Sequence, residues 1–429
     1  MMLFKQLFYF AVLTVHVERS KASIHRRHDS NHWVDTWVSM PQLTEPANLP
    51  PAPFNQTGAV FVNSTIRQTL HMSIGGPSIR IRISNAFGVS DLPITAVTVA
   101  LPFNGSAGVA AIQPNTLKAV TFSGRTNYTI PNGALVVSDP IDFKVEPQTM
   151  LTVTIYLADG QRSSANAITS HPGSRIVSWM STGNQVSATD ITDSSSANVA
   201  HWYFVSAVEV YVPKSTRAFV IVGDSITDGR GSDNNQNNRW PDLVLRKMQT
   251  RHSTSDIAVL NQAAGGNRIL YDGLGPNALS RIDRDVLSHS GIEYAMIFEG
   301  VNDIGTGATD AAAQKAIGDR LIAAFIQIAI RIKTFDIPVF AATITPFSAP
   351  GYNVTVQGYS DPEREKTRQR VNEWIRKSRT FDEVLDFDEW LRNETYPSQL
   401  ADALQGGDYL HPNGKGYARI AELFPLDIF

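Results

Sequence analysis

Val220-Ile221-Val222-Gly223-Asp224-Ser225-Ile226-Thr227-Asp228-Gly229 is an apolar run that stops on a glycine and hands the chain to an acid and a serine. The run at 218–222 is short, bounded and β-branched, as a fully buried strand is. Four more runs of this kind follow, at 257–260, 294–298, 339–344 and 384–387, with helical stretches between them. In 317–335, Leu321, Phe325, Ile328 and Ile332 share one helix face. In 362–377, Glu363, Glu365 and Arg368 stand early, which predicts an exposed helix. Buried strands alternating with helices make a doubly wound parallel sheet, whose sites lie at the strands' carboxyl ends.

Upstream of about residue 214 the pattern is different. Ile79-Arg80-Ile81-Arg82-Ile83 alternates with period two. The stretches 94–101, 150–157, 175–180 and 201–212 are β-branched and aromatic. Turn chemistry separates them: Gly75-Gly76-Pro77, Asn104-Gly105, Pro131-Asn132-Gly133 and Asp159-Gly160. Short strands at near-regular spacing predict an all-β sandwich or jelly-roll-like domain over 33–213, ahead of an α/β domain over 215–429. Trp33, Trp37, Trp179 and Trp202 are expected as core aromatics of the first part. Residues 46–53 read as an extended lead-in, and the Ser/Asn-rich 182–200 as a long exposed loop.

Composition narrows the function. The 429 residues carry 37 Lys+Arg against 40 Asp+Glu, a formal charge of −3, which excludes a dedicated nucleic-acid binder. With no cysteine, disulfides, thiolate catalysis and cysteine-ligated metal centres are excluded. Lys5 precedes an apolar run at 7–15, and Ser20-Lys21-Ala22 offers small residues for cleavage, which predicts a signal peptide over 1–22. Arg26-Arg27 is a candidate second processing site. Six Asn-x-Ser/Thr sequons, at Asn55, Asn63, Asn104, Asn127, Asn353 and Asn393, add to the expectation of a secreted glycoprotein. No later stretch approaches about 18 uninterrupted apolar residues, so no membrane span is expected.

The strand ends hold the chemistry. The first run delivers Ser225, the second ends Asn261-Gln262-Ala263-Ala264-Gly265-Gly266, the third Glu299-Gly300-Val301-Asn302-Asp303, and the last is followed by Asp408-Tyr409-Leu410-His411-Pro412. A serine hydroxyl needs a neighbouring base, which His411 supplies, and Asp408 can hold the imidazole in the useful tautomer. An acyl-transfer intermediate needs fixed donors for its oxyanion, and the amides of Ser225 and Gly266 and the side chain of Asn302 are the candidates. Of the ten histidines, only His411 has both an aspartate three residues before it and a proline after it. His171, before Pro172-Gly173, reads as a loop residue. Asp224 is expected to support the site from behind, and Asp224, Asp228 and Asp233 to form a solvated acidic loop. Arg268 is assigned a structural role.

These four blocks, in this order, resemble those of the SGNH (GDSL-type) hydrolases, and the likeness covers about residues 215–429; the β-rich first half is similar to that of secreted two-domain members. The resemblance implies a flavodoxin-like α/β/α fold and a cofactor-free, metal-free esterase with Ser225 as nucleophile, His411 as base and Asp408 as its partner. Gly266 and Asn302 would complete the oxyanion hole with the Ser225 amide; Gly266 is taken over Gly265 from its distance to Asn261. The second block departs from the family pattern at Ala263, where a glycine is often found. The expected substrate is a short acyl or acetyl ester of a carbohydrate, with lipid or small-molecule esters as the alternative and a non-catalytic carbohydrate-binding protein as the rival from another class. Residues 234–240 and 345–359 are expected to wall the pocket.

Overall fold

The computed structural model describes residues 30–429, so the leader and Arg26-Arg27 lie outside the described residues. Asn31–Phe429 form one compact unit. Its first half is all antiparallel. The main strands are β1 (Asn31–Val38), β2 (Ser64–His71), β3 (Ile79–Ser84), β4 (Ala96–Ala100), β5 (Met150–Leu157), β6 (Ser178–Thr182) and β7 (Val205–Pro213). One sheet runs β1-β7-β3 and ends on Leu135–Val137; another runs from Ala197–Val199 through β6-β2-β5-β4 to Lys118–Ala119.

The alternation of β3 is as the sequence predicts: Ile79, Ile81 and Ile83 are fully buried. Arg80 and Arg82 point the other way and clamp the buried Glu209 of β7, each at 2.7 Å. β2 has no such alternation. It sits between β6 and β5, with Ile66 opposite Ile155, and buries Ser64, Thr65, Arg67, Gln68 and Thr69 as completely as its apolar residues. The Arg67 guanidinium survives there by bonding Thr154 Oγ1 (3.0 Å) and the carbonyls of Ala110 (2.6 Å) and Ala188 (2.8 Å). Trp37 and Trp202 stack edge-on in the core, whereas Trp33 and Trp179 are only half-buried. The 182–200 stretch is mostly loop but closes with a strand and buries Ile191.

The second half follows the βα alternation. β8 (Arg217–Gly223), β9 (Ile257–Ala263), β10 (Ile292–Phe298), β11 (Val339–Ala342) and β12 (Glu383–Leu385) are all parallel, in the order β9-β8-β10-β11-β12. Numbered along the sheet's own chain order this is 2-1-3-4-5, the order of flavodoxin-like sheets. β8 is an interior strand and apolar on both faces; Ala218 to Val222 are all fully buried. The helices include α1 (Ser225–Asp228), α2 (Trp240–Met248), α3 (Val301–Gly305), α4 (Ala311–Lys333), α5 (Pro362–Lys377) and α6 (Gly414–Leu423), with further short helices at Ala278–Ile282 and Phe387–Leu391. α4 buries Leu321, Phe325, Ile328 and Ile332, as its spacing predicts. α5 starts on Asp361, whose carboxylate accepts from the Glu363 and Arg364 amides, with Pro362 at the first helical position.

α5 departs from the expected exposed helix. Glu365 and Arg368 are buried, and the guanidinium binds the Glu365 carboxylate at 2.7 Å and that of Asp388 at 2.7 Å. A charge pattern cannot distinguish solvated charges from charges that neutralise one another inside. The two halves meet along β1, which lies against β9. Ser73 Oγ donates to the Val259 carbonyl at 2.8 Å, and the Asp35 amide to that of Ser290 at 3.1 Å. The change of character near residue 214 is therefore a change of sheet type within one unit.

Candidate active site

β8 ends on Gly223, where a Cβ would meet the Thr227 side chain at 2.5 Å. Asp224 turns the chain, its carboxylate accepting from the Ile226 amide at 2.9 Å, and places Ser225 on the first residue of α1. Ser225 Oγ lies 2.8 Å from His411 Nε2. The same ring's Nδ1 lies 2.6 Å from Asp408 Oδ2. Asp408 also accepts the His411 amide at 2.9 Å, so its carboxylate fixes the loop as well as the ring. With Nδ1–H donated to Asp408, Nε2 presents its lone pair to the serine. Burial acts to raise the Asp408 carboxyl, but hydrogen bonds from the His411 ring and amide outweigh it and hold the group well below the usual carboxylate range.

The predicted donors converge on the same cleft. Ser225, Gly265, Gly266, Asn302, Asp408 and His411 all line a cavity of about 650 Å³. Gly265 is excluded as a donor to that cavity, because its amide is bonded to Asp228 Oδ2 at 3.0 Å. Gly266 has φ +70°, and Leu274 packs where a Cβ would stand. Its left-handed conformation explains the glycine. Asn302, in α3, gives one amide hydrogen to the Asn267 carbonyl (2.9 Å) and accepts from the Tyr359 hydroxyl (3.0 Å). An amide nitrogen carries two hydrogens, so one remains.

Acids crowd behind the site. Asp224 and Asp228 are 1% exposed. The expectation of a solvated acidic loop is corrected for these two; only Asp233 is at the surface, and it bonds Asn238 at 2.8 Å. Burial, then the charges of Asp303 and Asp228, pushes the Asp224 carboxyl up to about 7. Burial pushes Asp303 up to about 6, although it accepts the Ile269 and Leu270 amides at 2.8 and 2.9 Å. Glu299 is raised by burial and by the Asp224 charge. Arg281 lies 3.4 Å from Glu299 and ties strand ends together through the carbonyls of Gln262 (2.7 Å) and Gly223 (3.4 Å). Arg281 and Tyr359 stand outside the four blocks, and only the fold brings them to the site. Arg268 stacks over Tyr271 at 5.5 Å and bonds the Asp272 carbonyl.

His171 is not a loop residue. It ends a strand, Thr169–His171, and is 3% exposed. Its ring lies over Trp202 and reaches across to Asp228 Oδ1 at 2.9 Å. The first half also lines the cleft with Gln42, Glu45, Asn48, Arg175 and His201. Of the loops expected to wall it, 345–359 contributes Gln357 and Tyr359, and 234–240 contributes nothing to the lining. Of the sequons, Asn63, Asn104, Asn127 and Asn353 are exposed, and Asn55 and Asn393 are half-buried. Among the described residues, no group of three or more His, Cys, Asp or Glu is placed to hold a metal ion, and no helix is long and apolar enough to cross a membrane.

The chain is thus a mixed α/β protein with its cleft at the carboxyl ends of a parallel sheet. Residues 221–419 match the model of the GDSL-like lipase/acylhydrolase family. Among solved structures it is similar to a GDSL-like lipase from Bacteroides thetaiotaomicron, with 19% identity over 50% of this chain and 89% of that one and a TM-score of 0.37. It is similar to an acetylxylan esterase variant from Geobacillus stearothermophilus, with 22% identity over 49% and 94% and a TM-score of 0.36. A carbohydrate acetylesterase family member from Sinorhizobium meliloti is 12% identical over 48% and 94%, with a TM-score of 0.37. No curated protein matches the chain.

Proposed function

We propose that the protein is a secreted serine esterase that cleaves short acyl or acetyl esters of carbohydrates through an acyl-enzyme. The observation that carries this reading is the hydrogen-bonded line from Ser225 Oγ through His411 to Asp408, opening on the cleft that holds Gly266 and Asn302. His411 Nε2 takes the serine proton as Oγ attacks the ester carbonyl carbon. The carbonyl oxygen becomes an oxyanion that accepts from the amides of Ser225 and Gly266 and from Asn302 Nδ2. His411 then gives the proton to the departing alcohol oxygen, leaving an acyl group on Ser225. Water, deprotonated by His411, attacks that acyl carbon and releases the acid and the serine. Asp408 stays ionised throughout, consistent with its depressed carboxyl.

The cleft supports the substrate class. The first half faces it with Gln42, Glu45, Asn48 and His201, donors and acceptors suited to sugar hydroxyls. Its apolar lining is sparse, Leu274, Leu410 and Pro172 beside the Tyr359 ring, which suits a short acyl group better than a long chain. Secretion rests on the leader and on the exposed sequons.

The test is hydrolysis of p-nitrophenyl esters from acetyl to palmitoyl, with Ser225→Ala in parallel. Turnover confined to short chains and lost in the variant is the expected result. Rates that climb with chain length would move the substrate to lipids. Undiminished turnover by Ser225→Ala, or none by either protein on any acyl ester including acetylated polysaccharide, would sink the esterase reading and favour a binding protein.

A further inference from the structure

The first half does more at this site than line the cleft. His171 Nδ1 lies 3.0 Å from the Met40 carbonyl oxygen, and Nε2 lies 2.9 Å from Asp228 Oδ1. Both partners are acceptors, so both ring positions need a hydrogen between ring and oxygen. A neutral imidazole and a carboxylate together have only one. The two residues are 3% and 1% exposed, so their contact is well shielded from bulk water.

The other carboxylate oxygen, Asp228 Oδ2, accepts the Gly265 amide at 3.0 Å. That bond fixes the Ala264–Gly265 peptide, one residue ahead of the Gly266 amide. The contact is close on every side. A Cβ on Gly173 would fall 1.6 Å from Asp228 Oδ2, so the His171-Pro172-Gly173 turn closes over the carboxylate with no room to spare. Behind it, the His171 ring stacks on Trp202 with centroids 5.7 Å apart.

We infer that His171 is a positioning residue for the oxyanion hole: through Asp228 and the Gly265 amide, it holds the Gly266 amide where the developing oxyanion needs it. The inference rests on the serine-esterase reading above. On it, the antiparallel half supports the catalytic machinery by way of one hydrogen-bonded pair that bridges the two halves.

Three variants test it. His171→Phe keeps a ring on Trp202 and deletes both hydrogen bonds. Asp228→Ala deletes the carboxylate. Asp228→Asn presents Nδ2 to the His171 ring and Oδ1 to the Gly265 amide, so it can keep both bonds. His171→Phe and Asp228→Ala are expected to lower kcat about 100-fold with KM changed less than about threefold, the signature of a misplaced transition-state donor. Asp228→Asn is expected to recover most of that loss, to within about tenfold of the wild type. A purely structural role would not separate Asn from Ala in kcat while leaving KM alone. Equal rates for Asp228→Asn and Asp228→Ala, or an unaltered kcat in His171→Phe, would overturn the inference. If His171→Phe does not fold, the two Asp228 variants still decide. Ser225→Ala, assayed alongside, separates the failures: an active Ser225→Ala overturns the underlying reading, whereas an inactive one with a fully active His171→Phe overturns only this inference.

Discussion

β2 and β8 are both interior strands of their sheets, and both are almost wholly buried, yet their sequences have nothing in common. β8 reads Arg-Ala-Phe-Val-Ile-Val-Gly and β2 reads Ser-Thr-Ile-Arg-Gln-Thr-Leu-His. β8 is buried by apolar contact on both faces. β2 is buried by polar side chains whose partners come from segments far away in the chain: Ala110, Thr154 and Ala188 for Arg67, and Tyr203 for Gln68. A buried polar group is stable when its hydrogen bonds are complete and costly when one is missing. Hence β8 tolerates small changes of shape, and β2 does not tolerate small changes of chemistry.

The largest expected effect lies just past the end of β8. Ser225→Ala should lower kcat on p-nitrophenyl acetate by about 10⁴-fold or more while the melting temperature stays within about 2 °C of the wild type. A parallel fall in stability would show that the serine supports the fold as well as the chemistry. The next effect is in β2. Arg67→Leu has nearly the right volume, but it strands the Ala110 and Ala188 carbonyls, so a loss of about 3–5 kcal/mol is expected in urea unfolding. Ile221→Val in β8 removes one methyl group from an apolar site and should cost only about 1 kcal/mol. If the two costs came out equal, the contrast between the strands would fail.

The smallest effect is one of pH. Asp224, raised to about 7, keeps a proton in the folded chain where an unfolded aspartate, at about 4, has lost it. The folded state then binds more protons than the unfolded one, so stability should rise as the pH is lowered from about 8 to about 6.5. Asp408 has the opposite sign. Its depressed carboxyl contributes stability above the unfolded value and loses it as pH falls through the folded one, well below this window. His201, whose imidazolium burial disfavours, opposes the rise in part as the pH nears 6.5 and more strongly below it. Calorimetry at the two pH values checks the sign, and Asp224→Asn should flatten the slope. A melting temperature that falls on going to pH 6.5 would contradict the protonated acid behind the serine.

The same contrast explains what could be read from the sequence. The parallel strands are legible because burial on both faces leaves an apolar run, and the alternation of β3 is legible because one face is polar. The line Ser225, His411, Asp408 is legible because each member follows a strand or a turn in a recognisable block. β2 is not legible, because its polar residues are satisfied by partners that only the fold supplies. His171, Asp228, Glu365 and Arg368 fail for the same reason. Each looks like a loop or surface residue, and each is buried against an opposite charge or a complementary hydrogen-bonding group from elsewhere in the chain. The role of the first half in the cleft was illegible too, since Gln42, Glu45 and Asn48 belong to no motif.

β9 is the outermost strand of the parallel sheet, and its free side is covered by β1 and by Ser73 from the first half. An uncovered edge of that kind, Ile257-Ala258-Val259-Leu260, is a template on which another molecule can add a strand. The antiparallel half is therefore also a shield. A protease nick or a truncation near residue 214 would release a surface that invites self-association, and a preparation of 215–429 alone is better judged first by its solubility than by its turnover.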